Sequence, residues 1–522
     1  MATLAKDGSL VMKVWVHSLE ESAETVARLL ERYRWAALIV GTIAYFVVTV
    51  GISAWRPFWY DELFTHHIAR QPAGEIRAAL KQGMDQLPLP YFLVVRASQH
   101  VFGEGEVAAR MPSVIGYWLG CVGLFQFVRR RTTALYGLLA VAFALSSSFA
   151  YRYAFEARPY ALVFGFGALA LVCWQAAAEN RRRPAALAGL ALALLAGVYS
   201  HYYAVLLVCP IAVGEIVRAI KFRRADWVLW LTLLPCFVPL AFAELGTNLN
   251  KYGQTFWSSP KPSFFIVFYE RMLQSLLLPA AFLLLLLALY SIRRTENRQH
   301  TRVALHPPAY EVAAAVALAG LPCFGYAVAV LVTNALVPRY MIAAILGLAI
   351  LYSWLAFFGF SSKVAGVAAF VVLAGASGLN RVLELRSMSR AWAKAPGLTL
   401  PAAAVRGSGP IVVENPLLFF ESSYRSPYRS RLFYLVDPDS TVRYAAAAGL
   451  DPGLPLLKGI AGLNVELFDA FTAKHRSFTV YERDDDTYGF GWVLRHLLER
   501  GARLELKELK GSDRVYVAVL PD

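Results

Sequence analysis

Apolar runs long enough to cross about 30 Å of hydrocarbon at about 1.5 Å per residue recur along the first 380 positions of the chain and then stop. Short basic clusters separate many of them: Arg129, Arg130 and Arg131; Arg181, Arg182 and Arg183; the stretch 218–224; and Arg293, Arg294, Arg298 and Arg302. Positive residues stay on the cytoplasmic side, so all four clusters are placed there. The pattern then predicts about eleven crossings, near 35–55, 109–128, 133–149, 159–178, 185–200, 203–219, 227–245, 271–291, 311–333, 338–358 and 362–379. Run 185–220 is too long for one crossing, and its polar middle, Ser200 and His201, supplies a hairpin turn. Segment 88–102 is read as a helix lying on the membrane surface or wedged into the bundle. A crossing there would carry Arg129 to Arg131 outside.

After residue 380 the period changes. Short β-type segments appear at 410–414, 431–436, 477–481, 503–509 and 514–520, with a helix over 490–500 stopped by Gly501. The predicted architecture is therefore an all-α polytopic membrane bundle with a small external α/β domain. Residues 1–34 form a cytoplasmic N-terminal segment, 35–380 the transmembrane domain and 381–522 the external domain. The first run, 35–52, lacks a small-residue cleavage site and reads as an uncleaved span.

Composition agrees with this reading. Of the 522 residues, 57% are hydrophobic and 17% charged, against about 25% charged in an ordinary soluble protein. The net charge of +15 would suggest nucleic acid on a soluble chain, but the clusters between spans make it topological, and no nucleic-acid partner is expected. The five cysteines lie inside apolar runs without C-x-x-C spacing, so no disulfide framework or zinc site is readable. Asp484, Asp485 and Asp486 read as a solvated turn rather than a metal site.

With the N-terminus inside, five polar islands share the external face: 55–110, 151–158, 199–203, 247–271 and 333–340. The cytoplasmic loops hold little beyond basic clusters, so chemistry belongs outside. Asp61 and Glu62 follow the first span beside Trp59 and Tyr60. The same loop holds Asp85, then Pro88 and Pro90 before Tyr91, and ends at Arg110. The prolines preset the exit of the following helix and stiffen the loop. Glu156 and Arg158 head one span, where mutual neutralisation is the bland alternative; His201 sits in a turn; Arg339 and Tyr340 head another span, where snorkelling is the bland reading of the arginine.

Taken in order, Asp61-Glu62, the Asp-x-x-Pro-x-Pro-Tyr-Phe run at 85–92, Arg-Met-Pro-Ser at 110–113, Glu-Ala-Arg-Pro-Tyr at 156–160, His-Tyr-Tyr at 201–203 and Pro-Arg-Tyr at 338–340 resemble the bacterial branch of the protein O-mannosyltransferase and aminoarabinose-transferase superfamily. These are integral-membrane glycosyltransferases of the GT-C fold, with external jaw helices. Leu89 separates Pro88 from Pro90 where many relatives have adjacent prolines. Leu87 stands where the aminoarabinose branch has a lysine, which puts that branch's substrate in doubt.

The resemblance implies a polyprenyl-phosphate sugar as donor, inversion at the anomeric carbon, and a site on the external, periplasmic face of a bacterial cytoplasmic membrane. The residue inventory suits that chemistry. A lipid phosphate leaves without a dedicated general acid, but its charge must be neutralised. Arg158, Arg339 and Arg110 are the candidate phosphate ligands, with His201 and Tyr340 as supporting donors. Asp61 is the candidate base for an acceptor hydroxyl, and Glu62 its competitor or partner. Asp85, Tyr91, Glu156 and Tyr160 are expected to position substrate. A divalent cation could bridge carboxylate and phosphate, though nothing in the sequence demands one. The sugar, hexose or pentose, is not readable, nor is the acceptor: lipid, glycan or protein. The loop 248–271, with Lys251, Tyr252 and Trp257, and the C-terminal domain are expected to cover the site. A lipid flippase or a glycan ligase is the competing reading. A flippase would place charges near the bilayer midplane and often carries internal repeats.

Overall fold

The apolar runs form the expected helices. The protein is described here by a computed structural model over residues 2–241, 258–293, 307–359, 363–394, 400–437, 453–483 and 491–521. The expectations placed on Lys251, Tyr252 and Trp257, on Arg294, Arg298 and Arg302, and on Asp484, Asp485 and Asp486 lie outside those residues.

Among the described residues, seven helices are long and apolar enough to cross a membrane: Arg34–Trp55, Glu106–Arg129, Tyr160–Ala178, Arg183–Ser200, Tyr202–Phe222, Phe264–Leu283 and Lys363–Met388. Two bent pairs, Ala134–Ser146 with Ser148–Phe155 (74°) and Ala309–Ala319 with Leu321–Thr333 (53°), would bring the number to nine. The other two expected crossings coincide with the shorter apolar helices Trp227–Ala241 and Ala344–Phe358. The last long helix runs on to Lys394, past the position where the apolar pattern fades.

Segment 88–102 forms the helix Leu89–Phe102, whose 14 residues span only about 21 Å. Pro88 caps it and Pro90 occupies its first turn. With Tyr60–Ala69 and Ala73–Lys81 it builds a three-helix loop between the first two long helices.

Polar residues gather in two layers at opposite ends of the bundle. Arg110 and Arg129 stand at the two ends of one helix, about 29 Å apart at 1.5 Å per residue. At the Arg129 end the basic clusters interlace with acids: Arg129 with Glu31, Arg131 with Glu179 and Glu311, and Arg183 and Arg218 with Asp226. Lys363 meets Glu24 of the N-terminal helix Ala2–Arg32 in the same way.

Close backbone approach aligns the helices that carry the opposite layer. A Cβ on Gly165 would stand 2.3 Å from the carbonyl oxygen of Gly116, and one on Gly116 would stand 2.8 Å from the amide of Leu162. Only glycine lets Glu106–Arg129 and Tyr160–Ala178 meet this closely, which is how small residues drive packing where lipid removes the hydrophobic drive. Their heads, Arg110 and Arg158, are thereby brought side by side.

The tail forms a six-stranded sheet: β1 (Ile411–Val413), β2 (Leu432–Val436), β3 (Val465–Leu467), β4 (Ser477–Arg483), β5 (Arg503–Lys510) and β6 (Asp513–Val519), in the order β3-β2-β1-β4-β6-β5. β3, β2, β1 and β4 run parallel, and β6 and β5 complete an antiparallel edge. Exposed β5 carries Glu505, Lys507, Glu508 and Lys510, charges that discourage edge pairing. The helix predicted over 490–500 is Trp492–Glu499, closed by Gly501 at a φ of 76°. One sheet face packs with the loop helices. Phe420, on the helix Pro416–Arg425, meets Tyr60 and Phe64 edge-on at 5.8 and 5.4 Å, and Arg425 pairs with Glu106.

Gly165→Leu is expected to destabilise the protein by about 3 kcal/mol or to abolish folding, because the displaced neighbour is backbone. Gly375→Leu, where an added Cβ meets nothing within 4 Å, should unfold like the parent. Thermal unfolding in detergent followed by tryptophan fluorescence reads both.

Candidate active site

The loop after the first long helix turns at Pro57 and enters the helix Tyr60–Ala69 through Trp59, whose extended backbone (φ −103°, ψ 173°) is the N-cap. Asp61 and Glu62 therefore lie in the first turn, where the helix dipole favours negative charge. Glu62 is fully buried. Its Oε1 accepts from Arg110 Nε at 2.6 Å and from the Ala157 amide at 2.7 Å, and its Oε2 accepts from Arg110 Nη2 at 2.6 Å and the Trp59 amide at 3.3 Å.

Arg110 is also fully buried. Besides Glu62 it donates to the carbonyls of Ser53 (2.7 Å), Arg56 (2.6 Å) and Pro57 (3.0 Å). A guanidinium has five N–H donors, and all five are engaged. The sequence expectation that Arg110 contacts a donor phosphate and that Glu62 competes for the base role meets an obstacle here. The pair binds the end of one helix, the start of the next and the loop at Ala157, with no donor left for a ligand.

Asp61 points elsewhere. Its Oδ2 lies 3.1 Å from Arg339 Nη2, yet it is buried without an aligned hydrogen bond. Arg339 reaches the site from the 3-10 turn Pro338–Met341, which Pro338 opens after an extended Val337. Its guanidinium lies over the rings of Trp59 (5.9 Å) and Tyr160 (5.7 Å), and its Nε is buried without an acceptor.

Arg158, just before Pro159 and the helix Tyr160–Ala178, pairs with Asp85 at 2.7 Å. The same Nη1 comes within 3.3 Å of Thr65 Oγ1 and 3.4 Å of the Asp61 carbonyl. Its Nε too is buried and unpartnered. Burial opposes its charge, but Asp85 and Asp61 overcome that and hold Arg158 firmly protonated. Asp85 is also fixed by the Gln86 amide at 2.7 Å, and Tyr91 is buried next to it.

His201 breaks the chain between Arg183–Ser200 and the following turn through an extended conformation (φ −155°, ψ 129°). Its Nδ1 accepts the Tyr203 amide, which leaves the proton of the neutral ring on Nε2. Burial first, then Arg158 and Arg339, depress its pKa to about 3, so it serves as a neutral donor. Tyr340 and Tyr160 pack around it in tilted arrangements, with centroids at 4.8 and 5.5 Å.

Glu156 is fully buried between Arg152 (3.2 Å) and Arg56 (3.7 Å), and its Oε1 has no partner. Burial and then Glu62 raise its pKa. The local pair with Arg158, the bland alternative for these two residues, is not the one formed. Glu156 takes Arg152 and Arg56, and Arg158 is left for Asp85.

Four of the five polar islands thus converge, although they are separated by whole spans in the sequence. The remaining island, 247–271, contributes Ser258, which bonds to the carbonyl of Leu336 near Arg339. Thr65 and the flanking Arg56 and Arg152 are participants that motif reading did not single out, because an isolated arginine beside an apolar run looks like a topological anchor. Among the described residues no cluster of three His, Cys, Asp or Glu side chains suits a metal ion, and Asp61 is faced by an arginine.

Residues 86–242 match the profile of the family described as dolichyl-phosphate-mannose-protein mannosyltransferase. The fold is that of ArnT from Cupriavidus metallidurans. The apo structure superposes at a TM-score of 0.54 with 14% identity, and the undecaprenyl phosphate-bound structure at 0.51 with 13%. Each comparison covers 93% of this chain and 98% of that one. No curated protein matches the sequence.

Glu62→Ala strands the Arg110 charge and is expected to cost about 3–5 kcal/mol of stability. Asp61→Asn should cost at most about 1 kcal/mol, because Arg339 keeps its aromatic faces. Chemical unfolding of the two variants compares them. A second prediction concerns pH. The folded pKa of His201 lies below its unfolded value, so as pH falls through about 6.5 the unfolded chain takes up the proton first and this residue's contribution weakens toward pH 3. Buried Glu414 and partly buried Glu421, raised to about 8 and about 7, act in the opposite sense, so the difference between proteins is the readout. The unfolding temperature of His201→Gln relative to the parent should rise as pH drops from 7 to 5.

Proposed function

We propose that the protein is a membrane glycosyltransferase that moves a sugar from a polyprenyl phosphate to an acceptor, with Asp61 at the reacting centre and Arg158 and Arg339 as ligands of the donor phosphate. The observation that carries this reading is the set of three side chains at one bundle end: an ionised pair, Asp61 and Arg339, without an aligned hydrogen bond, and beside it Arg158, each arginine keeping a buried Nε free. Such an arrangement is costly unless a ligand completes it. ArnT, whose fold this chain shares, binds undecaprenyl phosphate, which supports a polyprenyl donor.

Charge supports a phosphate. Arg56, Arg110, Arg152, Arg158 and Arg339 meet Asp61, Glu62, Asp85 and Glu156, with Glu421 beside Glu62 and Arg56 as a fifth acid. Burial raises the pKa of Glu156 and brings that of Glu421 to about 7, and with two of its acids held toward the neutral form the layer is short of negative charge.

In the reaction an acceptor oxygen forms the new bond to the anomeric carbon while the bond from that carbon to the phosphate oxygen breaks. The electron pair leaves on the phosphate, and Arg158 and Arg339, with the His201 Nε2–H and the Tyr340 hydroxyl, neutralise it. A phosphate entering beside Arg339 competes with Asp61 for that guanidinium and frees the carboxylate to take the acceptor proton. Asp85 holds Arg158, while Glu62 and Arg110 hold the loop. The sheet domain, packed on the loop helices through Phe420, limits water and selects the acceptor. We place the site on the external face of the cytoplasmic membrane, opposite the basic loops.

In liposomes supplied with a panel of polyprenyl-phosphate sugars, the parent should consume one donor. Asp61→Asn should lower turnover of a hydroxyl acceptor about 10²–10⁴-fold with folding intact, and Arg339→Gln should raise the donor KM as well. Full turnover by Asp61→Asn, or translocation of an intact lipid without donor consumption, would overturn the reading.

A further inference from the structure

A polar cavity of about 640 Å³ opens on the same bundle end but outside the Asp61 cluster. It lies where the end of Arg34–Trp55, the bend at Ser148–Arg152 and the long helices Phe264–Arg293 and Lys363–Lys394 meet. Arg56, Arg152 and Arg381 line it.

Arg381 is 8% exposed. Its guanidinium stacks on Tyr151 at 4.2 Å, Nη1 pairs with Glu384 at 2.5 Å, Nη2 lies 3.4 Å from Ser148 Oγ, and Nε is buried with no acceptor. Arg56 and Arg152 share the single carboxylate of Glu156, whose Oε1 is itself unpartnered. Three guanidiniums therefore face two carboxylates, and a buried N–H donor is left open. An anion with several acceptor oxygens answers both deficits, and planar guanidiniums favour phosphate.

The lining is also greasy. Leu278 and Met388 complete the wall, and Leu278 is 83% exposed. Both lie on helices long and apolar enough to cross a membrane. The cavity is thus charged at its head and continuous with a lipid-facing surface, the shape of an amphiphile with a phosphate end. Trp59 separates it from the Asp61 cluster: Arg152 lies 5.8 Å from the ring and Arg339 5.9 Å. Arg152 and Arg339 both lie against one indole, so this is a neighbouring compartment that shares Arg56, Arg152 and Glu156 with the charged layer around Asp61 and adds Arg381.

We propose that the cavity bounded by Arg56, Arg152 and Arg381 binds the phosphate headgroup of a membrane lipid, whose chains lie along Leu278 and Met388. Nothing in this assignment requires the transfer chemistry described above.

The test uses the full chain in phosphatidylcholine nanodiscs and a fluorescent phosphatidic acid, with unlabelled phosphatidic acid and inorganic phosphate as competitors. Saturable binding is expected, displaced by the lipid and not by inorganic phosphate at the same concentration. Arg152→Gln, at a half-exposed side chain, should weaken binding about tenfold. Leu278→Trp keeps every charge, fills the mouth from an exposed position and should weaken binding comparably, at an unchanged unfolding temperature. Arg339→Gln should bind within about twofold of the parent. Parent-like binding by both Arg152→Gln and Leu278→Trp overturns the proposal. So does loss of binding in Arg339→Gln, which would put the phosphate in the Asp61 cluster, and so does equal displacement by inorganic phosphate, which would make this an ion site rather than a lipid site.

Discussion

The buried pair between Glu62 and Arg110 is the constraint on which the remainder of the site rests. Two charges removed from water at the edge of an apolar bundle are tolerated only when each lone pair and each proton has a partner. Here they do: the guanidinium closes on the carbonyls of Ser53, Arg56 and Pro57, and the carboxylate takes the amides of Trp59 and Ala157. One ion pair therefore ties together the end of the first long helix, the start of the loop helix, the head of the second long helix and the segment before Arg158. Asp61, one residue before Glu62, is aimed as a result, since a helix turns about 100° per residue and sends the neighbour toward Arg339.

This division of labour explains what was readable in advance. The apolar period marks the spans because nothing but length and hydropathy is needed to see them, and the polar islands follow by subtraction. That Asp61, Asp85, Arg158, His201, Tyr160 and Arg339 share one end was legible for the same reason: a helix that crosses the bundle moves its two heads to opposite ends, so alternate loops must meet. What could not be read was which acid faces which base. Glu156 is two residues from Arg158, yet it pairs with Arg152 and Arg56 instead, because those side chains converge from two other elements. Adjacent Asp61 and Glu62 look interchangeable in sequence and differ entirely in burial and partners. Strand β3 was missed because Val465–Leu467 is three residues long, too short to show an alternation. The same limits apply to Arg381, which lies where the apolar pattern ends but within a helix that continues to Lys394.

Both polar layers fix helix ends. At the Arg129 end, cations and acids come from several elements and close on one another, as in Arg183, Arg218 and Asp226. Buried guanidinium Nε atoms without acceptors occur in both layers, on Arg34 and Arg129 at this end and on Arg158, Arg339 and Arg381 at the other. What sets the Asp61 end apart is the pair Asp61 and Arg339, close together but not aligned for a hydrogen bond.

That misalignment has a chemical consequence. If a site already satisfied by its own carboxylates had to receive a phosphate, each arginine would first give up a partner, and binding would gain little over water. Here Arg158 keeps Asp85 through Nη1 and retains a free Nε, while Arg339 is held by the ring faces of Trp59 and Tyr160 and only loosely by Asp61. Both cations are already positioned, so little reorganisation is left for the step in which charge moves onto the phosphate. Rings supply the rigidity that a second carboxylate would otherwise provide, without adding negative charge where an anion must arrive. That is why aromatic residues, rather than more acids, crowd this end of the bundle, and why the neutral ring of His201, packed against Tyr340, suits the place better than an imidazolium or a glutamate would.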